Sequence, residues 1–210
     1  IMVCISGGKD SFLLAKLIQE LKRHGQIPFE AHYVVMEPGY NDKNREYIEN
    51  NAKLMNIPIE VFKTDIFEVA NSLNPENPCY MCARMRRGIL HDVTKELGCN
   101  KLALGHHMDD AAETFMMNLL SGGRIESFRP VTYLSRKDIT MIRPMIFATE
   151  KEVLSAARRM SLPTVESPCP MDKTSNRNEM KELLKSLEKD FPALKEKIIG
   201  GMQKGEISGW

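Results

Sequence analysis

The sequence predicts an α/β protein: a doubly wound, mostly parallel sheet with helices on both faces, followed by C-terminal helices. Three observations lead there. Short apolar runs suited to buried strands alternate with longer segments whose apolar residues recur at helical spacing, the pattern of parallel crossovers. A glycine-rich turn joins the first strand to the first helix. The chain of 210 residues is 42% hydrophobic and 27% charged, enough for one sizeable core, which sets aside disordered and collagen-like classes.

Ile1 to Ile5 is a continuous apolar run, as expected of a strand buried on both faces. It starts inside that run with no methionine in front, so a preceding segment is expected. Ser6 to Ser11 form the turn, and Phe12, Leu13, Leu14, Leu17, Ile18 and Leu21 then mark one face of a helix stopped by Gly25. The alternation continues with a strand over 31–36, a Pro38–Gly39 turn, a helix over 43–55 and a strand over 57–62. A polar stretch from Asn74 to Cys79 leads into a helix ending near Leu97 and Gly98. A strand over 101–105 and a helix over 109–120, closed by Gly122 and Gly123, complete the alternating part.

Residues 131–134 and 139–142 flank a charged turn and read as a hairpin or edge strands. A helix over 149–160 follows, with Thr149 as cap and Glu152 at the capping-box position. Residues 175–204 are amphipathic and helical, interrupted at Phe191–Pro192.

Lysine and arginine number 29 against 28 aspartates and glutamates, a net charge of +1. Any nucleic acid must therefore be held by a local basic patch. No apolar run approaches the ~20 residues of a membrane span, and the start has neither a basic region nor a cleavage site. A cytoplasmic protein is expected, with no membrane partner. Five cysteines in a reducing compartment make a disulfide framework a poor explanation.

The turn Ser6, Gly7, Gly8, Lys9, Asp10, Ser11 stands where unpaired N–H groups and the positive end of a helix dipole favour phosphate. It lacks the spacing of a Walker A loop. Asp10 is the telling difference, because a carboxylate beside polyphosphate needs Mg²⁺ between them. The alternative is a strand–helix turn in which Ser6 or Asp10 caps the helix. A second block, Gly105 to Thr114, also falls between a strand and a helix, at the sheet edge where open α/β sheets bind ligands. Its His106, His107, Asp109 and Asp110 read equally well as helix capping with a surface histidine pair.

Cys4 and Cys99 border strands and read as small core hydrophobes. Cys79 and Cys82 form a CxxC, and Cys169 stands far downstream. A structural zinc site needs four ligands, which His91 would complete; three thiols instead suit an iron–sulfur cluster with one iron open. Arg84, Arg86 and Arg87 follow the CxxC as a solvated basic face or as a holder of phosphate, with Arg124, Arg129, Arg136 and Arg143 as a weaker extension of the patch.

The Ser6–Ser11 string resembles the loop of the PP-loop ATP pyrophosphatases, which split ATP between the α and β phosphates and transfer AMP to a carbonyl or carboxyl oxygen. With residues 79–87, Gly105–Asp110, Ile142–Met145 and the late Cys169–Pro170, the chain closely resembles the tRNA 2-thiocytidine biosynthesis family over nearly its whole length. That resemblance implies the adenine nucleotide alpha hydrolase-like fold and an ATP-dependent sulfurtransferase acting on tRNA. It also implies a [4Fe–4S] cluster on Cys79, Cys82 and Cys169. It places ATP on Ser6, Gly7, Gly8, Lys9, Asp10, Ser11, Met36, Gly105, His106 and Asp109, Mg²⁺ on Asp10, and catalytic roles on Asp10, Asp110, Arg86 and the three cysteines. The implied partners are tRNA and a sulfur donor such as a cysteine desulfurase, with a homodimer left open. Residues 1–165 would be the ATP-binding catalytic domain, and 166–210 a ligand loop and helical extension packed on it.

Two departures stand out. Family prototypes often carry a further cysteine where this chain has Asp172, and the zinc-ribbon cysteines of related 2-thiouridine enzymes are lacking, which favours the cytidine-like branch. Rival readings are a lysidine-type or amide-forming PP-loop enzyme with zinc on the cysteines, and a non-catalytic RNA-binding or redox-sensing relative.

Overall fold

In the computed structural model, residues 1–39, 42–165, 168–169 and 176–210 are described; Asp172 and the expected helix start at Ser175 lie outside them. Six strands form one sheet in the order β3-β2-β1-β4-β6-β5. These are β1 (Met2–Ile5), β2 (His32–Glu37), β3 (Ile59–Lys63), β4 (Lys101–Ala103), β5 (Val131–Leu134) and β6 (Ile139–Ile142). All neighbours are parallel except β5, which turns back on β6 as an antiparallel edge. The hairpin expectation therefore holds for the pair, while β6 itself is an inner strand parallel to β4.

Helices α1 (Lys9–His24), α2 (Asp42–Leu54) and α6 (Glu150–Arg159) cover one face. There Phe12, Leu14, Ile18, Ile48, Ala52 and Val153 pack on Val3, Ile5, Tyr33 and Val35. Helices α3 (Ile66–Leu73) and α4 (Pro78–Glu96) cover the other, where Ile66, Leu90 and Val93 meet Met2, Val34, Met36 and Leu102. Alternate residues of β1 thus serve opposite cores, which is why the run is apolar throughout. Each fully buried side chain of this size contributes about 1.5–3 kcal/mol. The sequence reading passes over α3, whose eight residues bury only Ile66 and Ala70 deeply.

Helix α5 (Met108–Gly122) follows β4, and α7 (Asn176–Leu187) and α8 (Leu194–Lys204) pack against it. Ala111, Ala112, Ile146, Ile199 and Met202 form this third cluster, flanked by Phe115, Phe128 and Trp210. A 3₁₀ turn at Ile207–Gly209 closes the chain. Strand β4 is shorter than expected, yet Leu104 N–H still donates to the Ile142 carbonyl at 3.0 Å, so pairing continues past its end.

From β1 the chain winds outward through β2 and β3, whereas β4 lies on the other side of β1. The switch point of the sheet therefore falls between β1 and β4, and both glycine-bearing turns leave from its carboxyl edge.

Candidate functional site

Gly7 adopts φ +91°, and a Cβ there would stand 2.8 Å from Ile48 Cγ1. Only glycine combines that backbone with that closeness. Gly8 then caps α1 without any side-chain hydrogen bond to the first turn, so the early N–H groups of α1 remain open to an anion. Ser11 is buried and its hydroxyl donates to the Gly8 carbonyl at 2.9 Å, fixing the turn from within. The Lys9 ammonium lies 3.1 Å from Asp10 Oδ1 and 3.6 Å from Glu150. Its hydrogen bond goes to Asp10 Oδ2, and Oδ1 is buried with no hydrogen-bond partner.

The second turn presses against the first. A Cβ on Gly105 would sit 3.2 Å from the Asp10 carbonyl group, so the two segments meet backbone to backbone. His107 is 4% exposed and its Nε2 lies 3.9 Å from Asp10 Oδ1. The histidines are thus not a surface pair. Asp110 accepts from the His107 N–H at 2.9 Å and from Arg177 at 2.5 Å, and Arg177 also donates to the buried Glu113 at 3.2 Å. Burial pushes the Glu113 carboxyl above its usual range despite Arg177.

Asp109 faces the C-terminal helices. It accepts from Lys195 at 2.6 Å and from the Glu150 N–H at 2.6 Å. Burial opposes its ionisation, but those partners hold it below the usual range. Sequence reasoning missed Glu113, Glu150, Arg177, Lys195 and Lys181, whose ammonium donates to Glu150 at 2.8 Å. The only local signal was the Asp109, Asp110, Glu113 spacing on one helix side.

A third segment reaches the loop from downstream. Val165 N–H donates to the Gly7 carbonyl at 2.9 Å, and Pro168, next to Cys169, lines a cleft of about 220 Å³ with Ser6, Gly8, Met36, Glu37 and Arg86. Arg86 comes from α4, three residues and then one more beyond the CxxC. Cys79 is exposed and Cys82 half-buried on the opening turns of that helix, and Cys169 is half-buried. Cys99 is buried and Cys4 packs against the same core, where burial pushes its thiol up.

Among the described residues no three His, Cys, Asp or Glu side chains already form a group able to hold a metal ion. The fit of a [4Fe–4S] cluster rests on donor chemistry: two thiols one helical turn apart and a third beside the cleft that Arg86 lines. His91 cannot complete a zinc site with the CxxC, because nine residues of unbroken helix put it about 13 Å along the axis from Cys82. The fit of Mg²⁺ rests on Asp10 Oδ1, a buried oxygen that accepts no hydrogen bond and has the Lys9 ammonium 3.1 Å away.

The expected basic extension divides. Arg124, Arg129 and Arg136 are exposed, and Arg124 lies 3.5 Å from Glu126. Arg143 is 7% exposed and belongs to the interior rather than to a surface patch.

Residues 1–187 match the model of the PP-loop domain family. The chain is 33% identical over 203 residues to a tRNA-cytidine(32) 2-sulfurtransferase of Citrifermentans bemidjiense, covering 95% of this chain and 80% of that protein. To the enzyme of the same name from Syntrophotalea carbinolica it is 35% identical over 206 residues, covering 96% and 80%. Among solved structures it is similar to the U34-tRNA thiolase NcsA from Methanococcus maripaludis with its [4Fe–4S] cluster, at a TM-score of 0.76 and 28% identity, covering 97% of this chain and 70% of that one.

Proposed function

The chain belongs to the PP-loop domain family and, within it, to the tRNA-cytidine 2-sulfurtransferases, and from that premise we propose how its residues divide the work. The protein is an ATP-dependent tRNA sulfurtransferase that uses a [4Fe–4S] cluster. A pyrimidine C2 oxygen is a poor leaving group. Transfer of AMP from ATP, with pyrophosphate leaving, makes it a good one; sulfur at the hydrosulfide level attacks C2, loses its proton, and AMP departs.

The backbone of Ser6 to Ser11 binds the ATP phosphates at the start of α1, and Met36 and Gly105 shape the space beside them. Asp10 would hold Mg²⁺ through Oδ1, the oxygen that accepts no hydrogen bond and that the Lys9 ammonium now faces. Asp110, fixed by Arg177 and the His107 N–H, acts beside the nucleotide. Arg86 steadies the adenylated intermediate, since a guanidinium matches phosphate oxygens in geometry and charge. Cys79, Cys82 and Cys169 would hold the cluster, which when bound supplies an open iron site for the incoming sulfur. The target base must leave its stack to be reached, which suits a single-stranded tRNA loop.

Asp109 serves this site indirectly, by joining α5 to the start of α6 and to α8. Residues 1–165 then carry the nucleotide chemistry and 166–210 bring the third thiol and the helices that lock α5. A cysteine desulfurase or a comparable persulfide carrier would supply sulfur, in the cytoplasm where tRNA is found; among the described residues no helix is long and apolar enough to cross a membrane. A homodimer remains part of the reading.

The observation that carries it is the single cleft lined by Ser6, Gly8, Met36, Arg86 and Pro168. Ser6 and Gly8 come from the phosphate turn, Met36 from β2, Arg86 from α4 two turns past the first cysteine of the CxxC, and Pro168 from beside Cys169. The test is mass spectrometry of tRNA nucleosides from a deletion strain. Loss of 2-thiocytidine, restored by the wild-type gene but not by an Asp10→Ala or Cys169→Ala gene, is the expected result. An unchanged nucleoside profile would overturn it.

A further inference from the structure

We propose that Arg143 is a positioning residue that locks the His106 ring as the tautomer with its proton on Nε2, making His106 a fixed N–H donor at the carboxyl edge of β4. Arg143 directly follows β6, the parallel neighbour of β4. Its side chain is almost wholly buried, and among the described residues no carboxylate pairs with it. Its bonds go elsewhere. Nη1 donates to the Arg129 carbonyl at 2.5 Å, and Nε donates to His106 Nδ1 at 3.3 Å. The guanidinium carbon lies 4.7 Å from the centre of the Phe128 ring, and the same ring lies 4.8 Å from the His106 ring. Phe128 is thus held between a cation and an imidazole.

A guanidinium has donors and no acceptor. Whatever ring nitrogen faces it must be an acceptor, so Nδ1 carries no proton and a neutral His106 carries it on Nε2. Among the described residues no acceptor takes that Nε2–H, which leaves it for a substrate oxygen at the switch point. The ring also stays neutral. Burial lowers its pKa most, Asp110 opposes this, and Arg143, Arg177 and His107 add to the lowering, which brings it to about 4. Those are the charged and titratable groups that face it. His106 therefore acts as a hydrogen-bond donor through the working range rather than as a base.

The geometry stands without the sulfurtransferase reading; only the use made of the N–H rests on it. The test is long-range ¹H–¹⁵N NMR of labelled protein, with the His106 signal assigned among the five histidines by His106→Gln. The wild type should show a protonated Nε2 and a bare Nδ1, unchanged between about pH 8 and 5. Arg143→Met should release the lock, giving mixed tautomers and a titration moving toward the ordinary value of about 6.5. A proton on wild-type Nδ1, or an Arg143→Met spectrum like that of the wild type, overturns the proposal. Should Arg143→Met fail to fold, the wild-type tautomer alone decides.

A second readout is tRNA-dependent pyrophosphate release. Glutamine can place its amide near the Nε2 position, whereas asparagine reaches only that of Nδ1. His106→Gln should stay within about tenfold of wild type and His106→Asn should fall by about a hundredfold or more, the scale of one lost donor. Equal losses overturn the donor role. A protein with the expected tautomer that thiolates no tRNA would sink the function and leave the lock standing.

Discussion

Lys195 and Asp109 meet at 2.6 Å with side chains 12% and 9% exposed, and the other oxygen of that carboxylate holds the first N–H of α6. One buried ion pair thus joins α5, α6 and α8 directly behind the phosphate turn. Removing one partner of such a pair leaves an uncompensated charge, at a cost of about 3–5 kcal/mol. Lys195→Met should lower unfolding stability in urea on that scale, and the double variant Lys195→Met/Asp109→Asn should recover part of it. A loss below about 1 kcal/mol in the single variant would mean that the pair does not hold these helices.

The pH dependence of that loss has a defined sign. Asp109 and Glu150 have depressed values in the folded chain, and burial is outweighed in each by a lysine partner. Their contribution is present above the unfolded values of about 4 and lost as pH falls through the folded ones. Glu113 runs the other way. Burial raises it, so stability from this group grows as pH falls through its folded value. Arg177→Met removes the cation that moderates it. That variant should be least stable relative to wild type near neutral pH, with the gap narrowing as pH falls through the raised Glu113 value, and Glu113→Gln should relieve it. A gap independent of pH would assign the effect to packing instead.

Much of this fold is legible in the residue pattern because the central strands β1 and β2 are largely apolar on both faces and the crossover helices carry apolar stripes. The Ser6–Ser11 turn between β1 and α1 is legible for a similar reason: the strand end, the glycines and the helix start are contiguous in the chain. Helix α3 is not, because its eight residues make little more than two turns and bury only Ile66 and Ala70 deeply, too short a run to tell from a buried strand or loop. The charge network behind α5 is hidden for a different reason. Arg177 meets Asp110 across 67 residues and Lys195 meets Asp109 across 86, and no spacing rule connects them. Arg143 misleads in the same way, since a buried arginine and a surface one look alike in sequence; only the Phe128 ring and the His106 acceptor distinguish it.

Gly7 and Gly8 should separate under substitution. A methyl on Gly7 meets Ile48 at 2.8 Å in a left-handed backbone, whereas on Gly8, with φ −78°, the nearest atom is Ser6 Oγ at 3.8 Å. Gly7→Ala should cost about 1–3 kcal/mol in stability, and Gly8→Ala no more than about 1 kcal/mol. Thermal or urea unfolding checks both. Equal costs would mean that the turn relaxes around Ile48 and that its shape is not fixed by Gly7.

The five thiols should divide by location. Cys99 is buried in the hydrophobic core, and Cys4 packs in the same core with its thiol pushed up by burial, which disfavours Cys4 as a thiolate ligand. Replacing either by alanine removes a small buried group and should cost about 1 kcal/mol, with iron content and thiolation retained. Cys79 is exposed, and alanine there should leave the unfolding of the metal-free chain unchanged. It should nonetheless abolish iron binding, because a cluster held by three protein thiolates cannot spare one. The same loss is expected at Cys82 and Cys169. Pyrophosphate release should survive in all three variants, since the phosphate turn, Asp10 and His106 are untouched. Anaerobic reconstitution with iron and sulfide, followed by iron analysis and a pyrophosphate assay, checks each expectation. A Cys169→Ala protein that keeps full iron and still thiolates tRNA would remove the downstream thiol from the site and leave Val165 with a purely structural role against Gly7.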